Sequence, residues 1–464
     1  MSERILLPEV SDEVNDTLDR LLSQLRQKQY RNWLRASYYD GKRALQQVGS
    51  VIPPHYYRLG LVLGWPAKAV DLLARRCNLD GLVWPDGDLD SIGLPDMWEA
   101  NNLDSEVNQA LTSSLIHATA FVVSTRGDTT RGEPAALLHF KDAMNATGEW
   151  DHRARRLRNL LSITGRDGEG APSSLALYLD GFTVTAEKDG NTWEVDAHEH
   201  PWGVPAEPLV YRPRLGRWAG PSRISRPVMS LTDQAMRAVI RLEGHMDVYA
   251  WPEFWMLGAD ESIFKDANGE MKPSFQVMLG RIKGIPDDDE AVNPRADVKQ
   301  FPAASPEPHL AALNAFAKMF AREASLPDEA VAISDMANPT SAESYTASRE
   351  DLIAEAEGAT DDWSGPLRRA KLRTLAMQNG LDAVPPAWQS IAPKWRSPIH
   401  LSRAQQADAG AKQIGAIPWL AETEVGLELL GLDRQQVERA LSQKRRAEAR
   451  QTLETLRQVN GNRG

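Results

Sequence analysis

Two amphipathic segments flank an insertion rich in glycine and proline in the second half of the chain. From residue 226 to residue 249, apolar side chains recur at intervals of three and four, which predicts a helix with one buried face. The same spacing returns from Ser305-Pro306 to Arg322, and serine followed by proline is typical of a helix N-terminus. We therefore expect a helical pair that leads out from the body of the protein and back, with residues 251–304 as a compact insertion.

A loop and a long helix are predicted directly after this pair. The loop passes through Pro327, Asp335 and Met336. Thr340 and Glu343 then have the spacing of a capping box, in which side chains and backbone amides satisfy each other reciprocally. A new helix is therefore expected to start near Ser341. The Gly-Pro pair that ends at Pro366 is expected to kink this helix or divide it in two, because proline cannot donate the helical hydrogen bond.

The N-terminal half alternates between helical and strand patterns. Helical spacing covers residues 14–45, 61–79 and 110–121, with an interruption of the second segment at Trp65-Pro66. Short apolar runs separated by turn residues predict the strands of one small antiparallel sheet, at residues 137–140, 157–164, 175–179, 183–186 and 192–195. The glycine-rich segment 165–170 lies between two of these runs and is predicted to be a hairpin tip. With helical spacing again from Ser402, the chain is predicted to be α+β and mainly helical.

Composition and charge narrow the class of protein. The 464 residues are 42% hydrophobic and 25% charged, which is ordinary for a globular protein. Cys77 is the single cysteine, so no intramolecular disulfide can form, and we expect it to be a small buried apolar residue. No segment resembles a signal peptide or a membrane span, so we expect a cytoplasmic protein without membrane contact. The net charge of −11 argues against a tight grip on duplex DNA, but it does not exclude a protein that lets DNA slide past.

The sequence lacks the common signatures of catalysis. It contains neither a P-loop nor a nucleophile elbow. His198 and His200 could present two imidazoles on one strand face, with His152 as a third metal ligand, which leaves a metal-dependent nuclease as a third alternative. Exposed loop histidines explain these residues better, and we interpret His245 and His309 as isolated structural residues. We therefore expect neither an enzyme nor a cofactor.

Several short motifs along the chain carry a resemblance. Near the N-terminus they are Tyr38-Tyr39-Asp40-Gly41-Lys42, Trp65-Pro66-Ala67-Lys68-Ala69-Val70-Asp71, Leu79-Asp80-Gly81-Leu82 and Trp98-Glu99-Ala100-Asn101-Asn102-Leu103-Asp104. Further along, at the predicted start of the long helix, lies Asn338-Pro339-Thr340-Ser341-Ala342-Glu343-Ser344. In their order and spacing, these motifs resemble the portal proteins of long-tailed double-stranded DNA phages. The resemblance covers most of the chain and is weakest after Ser402.

The resemblance implies a subunit divided into wing, stem, clip and crown. The implied parts are a wing (residues 1–225), stem helices (226–250 and 305–325), a clip (251–304), a tunnel loop (326–340), a spine helix with a return to the wing (341–400) and a crown (401–464). The implied channel-lining residues of the tunnel loop are Asp335, Met336, Asn338 and Thr340. The implied clip contains the acidic run Asp287-Asp288-Asp289-Glu290.

The resemblance also implies a function and a set of partners. Rings of about twelve subunits would form a channel at one capsid vertex, through which double-stranded DNA is packaged and ejected without sequence-specific contact. The implied protein partners are the terminase large subunit, the major capsid and scaffolding proteins, and a head–tail connector protein. The ring would assemble in the host cytoplasm and remain in the virion.

Two questions stay open at the level of sequence. The four stem cations Arg237, Arg241, Lys318 and Arg322 are candidates for a limited set of phosphate contacts or for pairing with acids across the subunit interface. Another phage head or tail ring protein is the main alternative function, because it would share the acidic composition and the lack of catalytic motifs.

Overall fold

The protein is described here from a computed structural model. The described residues are 5–42, 60–190, 192–249, 254–257, 282–285, 297–300, 305–332, 349–399 and 402–461. The chain divides into two compact units, Met1–Arg396 and Ser397–Gly464. None of the helices in these ranges is long and apolar enough to cross a membrane.

Helices account for much of both units. The first unit contains α1 (Asp12–Tyr39), α2 (Trp65–Ala74), α3 (Leu94–Ala100), α4 (Leu103–His117), α5 (Arg226–Tyr249), α6 (Glu307–Glu323) and α7 (Glu350–Gln378). The second unit contains α8 (Arg403–Ala416), α9 (Glu424–Leu429) and α10 (Arg434–Gly461). Helix α8 begins with a capping box between Ser402 and Gln405, so the helical start expected after Ser402 is confirmed.

The strands form small sheets, most of them antiparallel. They are β1 (Leu79–Val83), β2 (Thr119–Arg126), β3 (Ala136–Asp142), β4 (Ala146–Asp151), β5 (Arg156–Arg166), β6 (Pro172–Tyr178), β7 (Phe182–Asp189), β8 (Thr192–Glu199), β9 (Ala206–Val210), β10 (Phe254–Leu257), β11 (Ile282–Ile285), β12 (Asp297–Gln300) and β13 (Ala392–Trp395). The strand orders are β1-β13, β3-β2-β9, β4-β5-β6-β7-β8 and β11-β10-β12. Only the β10–β11 pair is parallel among these ladders of the described residues.

The five-stranded sheet is covered on its two faces by different elements. On one face, a stripe of leucines on α1, including Leu18 and Leu22, packs against apolar side chains of β5, β6 and β7. On the other face, residues of β4, β5 and β6 form a second core with Phe121 and Val123 of β2. Because both faces are covered, β5 and β6 contain consecutive buried residues, and neighbouring side chains of β6 point alternately into the two cores.

Helix α7 runs through the main core and stays continuous across Pro366. Trp363, Leu367 and Ala370 on either side of the proline are fully buried, and α7 packs against β2 and β9. Burial of large apolar side chains offsets the one helical hydrogen bond that proline removes. The expected division at Pro366 is therefore wrong, because tertiary packing outweighs the local preference of the Gly-Pro pair.

The start predicted for helix α7 lies outside the described residues. Residues 341–348, with the expected start near Ser341, lie outside the described residues, as does the capping-box pair Thr340 and Glu343. The described helix begins at Glu350, and Arg349 is its N-cap residue.

Three further sequence expectations need correction. The single predicted sheet is in fact two, because the run at 137–140 belongs to β3 and pairs with β2 instead of β4. Trp65-Pro66 starts a helix and does not interrupt one, as befits a proline in the first turn. The helix predicted for residues 110–121 ends at His117, and Ala118 in the left-handed region turns the chain into β2.

Other expectations are confirmed. Residues 165–170 form the hairpin between β5 and β6, where Asp167 accepts hydrogen bonds from the backbone amides of Glu169 and Ala171. The amphipathic segments on either side of residues 251–304 are helices α5 and α6. Cys77 is fully buried, and burial is the main cause that raises the pKa of its thiol to about 12. A thiol in this state is a packing residue, as expected.

One buried charge in the core is unusual. The side chain of Lys371 on α7 is fully buried, and its Nζ has no hydrogen-bond partner among the described residues. Nζ lies 3.9 Å from the centroid of the Trp98 ring, and Trp98 Nε1 donates to Asp104 Oδ1 at 2.8 Å. Burial lowers the pKa of the Lys371 amine well below its usual value, and Asp104 opposes this shift. The contact with the ring therefore compensates only part of the lost hydration.

Replacing Lys371 with Met tests this account of the core. We expect Lys371→Met to raise the free energy of unfolding at neutral pH by on the order of 1 kcal/mol, because methionine fills similar space without desolvation of a polar head group. The wild-type free energy of unfolding should also rise as the pH increases toward 10.5, since the unfolded chain still binds the lysine proton that the folded chain has released.

Urea unfolding of both proteins across alkaline pH measures the two effects. The Lys371→Met variant should lack the rise that belongs to this group. The same pH slope in both proteins would contradict the assignment.

Candidate functional site

Helices α5 and α6 pack against each other and run antiparallel. At one end, Ser225 Oγ just before α5 donates to Glu323 Oε1 at the end of α6, at 3.4 Å. At the other end, the rings of His245 and His309 lie edge to face with centroids 5.1 Å apart. The helical pair predicted from the sequence is therefore present. The interpretation of the two histidines as isolated is wrong, because the antiparallel fold brings them together.

The four candidate cations are spread along the length of this pair. Arg237 is half-buried, whereas Arg241, Lys318 and Arg322 are exposed. Because the helices run antiparallel, Arg241 lies toward the end that contains His245 and His309, and Arg322 lies at the end that contains Ser225 and Glu323. Arg237 and Lys318 lie between these two ends. Within the described part of a single subunit, none of the four forms an ion pair with a carboxylate.

The other two predicted sets of residues lie outside the described residues. They are the tunnel-loop residues Asp335, Met336, Asn338 and Thr340, and the acidic run Asp287, Asp288, Asp289 and Glu290. The described start of the loop, residues 326–332, contains buried Leu326 and Pro327 and a single 3₁₀ turn at Asp328–Ala330.

The chain leaves α6 through a Schellman motif. Leu326 N donates to Ala321 O at 2.8 Å, and Ser325 N donates to Arg322 O at 3.3 Å. Ser325 is left-handed with φ 49°, at the position where glycine is usually found. A serine there costs about 1 kcal/mol or more in backbone strain, so the turn depends on contacts that surround it.

The guanidinium of Arg223 supplies those contacts. Its side chain is only 5% exposed and reaches four groups from four parts of the fold. Nε donates to Ala69 O on α2 at 2.9 Å, Nη2 donates to Ala324 O at the end of α6, and Nη1 donates to the Tyr211 hydroxyl at 3.3 Å. Glu355 Oε1 on α7 lies 3.9 Å from Nη1. Arg223 therefore joins α2, α6, α7 and the segment after β9 at one point.

Tyr211 and Glu355 complete this buried network. The Tyr211 hydroxyl donates to Glu355 Oε1, and burial is the first cause that raises the pKa of this tyrosine to about 12. Arg212 Nη1 lies 3.5 Å from the same carboxylate oxygen from the exposed side. We call Arg223, Tyr211 and Glu355 the Arg223 network. The carboxylate of Glu355 has two arginines nearby, the buried Arg223 and the exposed Arg212. The buried negative charge is therefore paired.

A second clamp holds the start of the loop. Lys68 Nζ on α2 donates to Ala330 O at 2.7 Å. The side chain of Trp65, one turn earlier on α2, lies with its ring centroid 5.2 Å from that of Phe320 on α6. Helix α2 therefore fixes both the end of α6 and the turn that follows it. Residues 324–330 enter the loop from a defined position.

The histidines considered as metal ligands are separated by their contacts. His198 Nε2 lies 2.9 Å from Asp196 Oδ2 on the exposed side of β8. His200 Nε2 lies 3.0 Å from Thr183 Oγ1, and burial lowers the pKa of His200. His152 lies in the exposed turn between β4 and β5. The described residues contain no group of three or more His, Cys, Asp or Glu side chains that could hold a metal ion.

Sequence reasoning missed Arg223 altogether. It lies in an irregular segment between β9 and α5, where neither the helical nor the strand period applies. The sequence signal in this segment is Gly220. The structure explains the glycine, because a Cβ there would lie 1.7 Å from Tyr211 O. Such a close backbone approach marks a tightly packed segment, but it does not indicate which side chain is buried there.

Comparison with known protein families gives one match across most of the chain. The model of the family described as "Phage portal protein, SPP1 Gp6-like" matches residues 22–450. Two curated relatives are called portal proteins. The relative from Mycobacterium phage L5 is 27% identical over 394 residues, and the relative from Mycobacterium phage D29 is 28% identical over 388 residues. Each alignment covers 82% of this chain and 78% of the relative.

Comparison with solved structures finds similarity to gene transfer agent particles. A chain of the native virion covers 80% of this protein and 90% of its own length, with 16% identity and a TM-score of 0.39. A chain from the neck of the empty particle covers 85% of this protein and 98% of its own length, with 15% identity and a TM-score of 0.40.

Removing the Arg223 guanidinium should destabilise the first unit. We expect Arg223→Met to lower the free energy of unfolding by about 3–5 kcal/mol, because Glu355 and two backbone carbonyls would lose a buried donor. Arg212→Met is the matched control, since Arg212 approaches the same carboxylate but its side chain is 61% exposed. The control should lose less than about 1 kcal/mol. Urea unfolding measures both changes, and equal losses would contradict the central role of Arg223.

Proposed function

The chain belongs to the SPP1 Gp6-like family of phage portal proteins, and we propose that its subunits close into a ring whose channel conducts double-stranded DNA at one capsid vertex. Portal proteins are structural components of the phage virion and not enzymes. The family match over residues 22–450 is the observation that carries this conclusion. It also favours a portal over the alternative of another head or tail ring protein.

In this proposal, the antiparallel pair of α5 and α6 is the stem. The three-stranded sheet of β10, β11 and β12 belongs to the clip, because these strands lie between the two stem helices in sequence. The rest of the first unit up to residue 225, together with the return through β13, is the wing. The second unit corresponds to the crown, since it begins at Ser397, close to the predicted boundary.

The Arg223 network supports the assignment of the tunnel loop. A loop that meets moving DNA needs a fixed origin, because force on the loop is transmitted to the residues that anchor it. Arg223 and Lys68 hold residues 324 and 330 at the beginning of the proposed loop. Glu355 connects the same point to α7, the helix behind the loop.

The stem cations fit either of two roles within the ring. Arg241, Lys318 and Arg322 are exposed and Arg237 is half-buried, so they are available for groups outside the single subunit. A small number of phosphate contacts would guide DNA without a strong grip, because each contact adds to the salt-dependent affinity. Pairing with carboxylates of the adjacent subunit would instead stabilise the ring. In both roles the four side chains act outside their own subunit.

The partners of the ring follow from the same proposal. A separate terminase would supply the ATP-driven force, and a head–tail connector protein would bind the ring after packaging. Major capsid and scaffolding proteins would surround it during assembly in the host cytoplasm. The acidic run Asp287 to Glu290 is proposed to belong to the clip.

Measuring the mass and shape of the purified protein tests the ring. We expect a species of roughly 620 kDa, which corresponds to about twelve subunits of 51.5 kDa. Electron microscopy should show rings with a central hole wide enough for duplex DNA. A protein that stays near 51.5 kDa at high concentration and in the presence of scaffolding protein would overturn the proposal.

Substitution of the loop residues tests the channel assignment. We expect Asp335→Ala and Asn338→Ala to leave ring formation intact and to reduce the amount of DNA packaged into capsids several-fold, because the loop contacts DNA in transit but not the adjacent subunits. Ring mass and protected DNA per capsid are the two measurements. Loss of rings in either variant would contradict the loop assignment while leaving the portal function in place.

A further inference from the structure

Helix α1 has a strongly uneven distribution of charge. Its first two turns contain Asp12, Glu13, Asp16 and Asp19. From residue 20 to its end at Tyr39, it has basic residues and no acidic ones; the basic residues are Arg20, Arg26, Lys28, Arg31 and Arg35. The packing stripe of leucines is common to both halves, so the difference concerns only the other faces of the helix.

The basic half of α1 lies along β4, which is one edge of the five-stranded sheet. Gln24 Nε2 donates to Gly148 O at 3.0 Å, and Lys28 Nζ donates to Thr147 Oγ1 at 3.2 Å. Asn32 Nδ2 donates to Ala143 O, just before β4, at 2.8 Å. These contacts fix the orientation of the helix. The faces that point away from β4 are therefore constant features of the surface.

Two aromatic side chains stand out on this basic half. Tyr30 is 69% exposed and Trp33 is 49% exposed, and their ring centroids lie 6.3 Å apart. Arg26 lies one turn before Tyr30 on the same side of the helix. Tyrosine, tryptophan and arginine are the residue types that contribute most to binding energy at protein interfaces. We call the exposed side chains Arg26, Tyr30, Arg31 and Trp33 the cationic surface.

Among the described residues, no carboxylate forms an ion pair with Arg26 or Arg31 of the cationic surface. The same is true of Lys28 and Arg35, which lie beside this surface on α1. Burial lowers the pKa of Lys28 to about 8, and Arg31 lowers it further. Burial lowers the pKa of Arg35 to about 10, with further contributions from Arg31 and Arg217. These cations repel one another, so an acidic partner would relieve a cost already present in the fold.

The opposite edge of the same sheet is acidic. On β7 and β8, the side chains Glu187, Asp189, Glu194 and Asp196 are exposed on one face, and the alternating positions Ala186, Trp193 and Val195 face the α1 core. We call these four carboxylates the acidic edge. The core that covers β4 to β6 on this face does not include residues of β7 or β8.

Carboxylates within the acidic edge repel one another. Glu187 lies directly opposite Glu194 in the antiparallel ladder, and like charges in this position destabilise a sheet. Asp196 lies next to His198, with 2.9 Å between Oδ2 and Nε2. In the part of the chain that the structure describes, none of the four carboxylates forms an ion pair with lysine or arginine. Cations from outside the subunit would therefore stabilise this edge.

We propose that the cationic surface of one subunit binds the acidic edge of a second copy of this chain. The two surfaces lie at opposite edges of one sheet, β4 and β8, so each copy can use both at once. A contact between two different surfaces repeats from copy to copy, and it closes into a ring when the rotation allows. This inference rests on the proposed function, because it names the partner that one surface of the wing meets in the portal ring.

A second copy fits these observations better than nucleic acid does. Binding of nucleic acid would account for the cationic surface alone. It would supply no cation for Glu187 and Glu194, which repel each other. A net charge of −11 also disfavours general attraction of the chain to a polyanion. The two complementary surfaces account for each other.

Exchange of charges tests the contact. Variant A is Arg26→Glu with Arg31→Glu, variant B is Glu187→Lys with Glu194→Lys, and variant C combines all four substitutions. We expect A and B each to weaken ring formation about tenfold or more, because like charges would then meet at the interface. Variant C should recover most of the wild-type ring formation, since opposite charges face each other again. Sedimentation velocity over a range of protein concentrations measures the fraction in rings.

A control variant separates this contact from general charge effects. Asp96→Lys with Glu99→Lys reverses two exposed acids on α3, outside both surfaces, and changes the net charge as variant B does. The control should form rings like the wild type, and combining it with variant A should give no recovery. Circular dichroism of each variant verifies that the subunits fold. Trp33→Ala should also weaken ring formation, without the salt dependence that the charge variants show.

The possible outcomes decide between the explanations. Rings in the wild type that persist in A and B overturn the inference and leave the portal function intact. A variant C as weak as the two single variants together would show that the surfaces do not meet. Unchanged rings with a loss of duplex DNA binding in variant A would assign the cationic surface to nucleic acid instead. Absence of rings in the wild type would overturn the proposed function itself.

Discussion

The buried guanidinium of Arg223 is the interaction on which the arrangement of the first unit depends. It is a cation with four acceptors from elements far apart in sequence, and each acceptor would be costly to bury without a donor. Such a group specifies one arrangement, because a shift of α6 or α7 leaves a charge or a carbonyl unpaired. Around this fixed point, Trp65, Phe320 and Trp363 belong to the large apolar core, whose burial is the main favourable contribution to folding.

The described fold combines a tightly packed core with exposed charged surfaces. Lys371 is enclosed by the packing of the core, and Tyr211 and Glu355 are held by their pairing with Arg223. The stem cations and the charged edges of the five-stranded sheet lack comparable constraints within one subunit. The proposed ring would need both features, since assembly requires surfaces that are satisfied only by neighbouring copies.

The sequence predicted elements with a strong period and missed contacts that depend on tertiary structure. The helical spacing predicted α5 and α6, and the turn residues predicted the hairpin at residues 165–170. Both predictions are confirmed because these signals are local in sequence. The division expected at Pro366 does not occur, because the local preference of proline is outweighed by the burial of its neighbours. The assignment of β3 to a separate sheet, the approach of His245 to His309 and the role of Arg223 all depend on residues distant in sequence, where no period exists.

The exposed carboxylates of β8 also affect which symmetry the chain can adopt. An edge strand of eight residues presents unpaired backbone groups, and two copies could in principle pair edge to edge around a two-fold axis. Such a pairing would bring Glu194 and Asp196 close to the acids of the other copy, without a cation between them. The carboxylates of the acidic edge would attract the cationic surface of another copy and repel the acidic edge of another copy. Closed pairs are therefore disfavoured, and the proposed contact between two different surfaces would add subunits in a single direction.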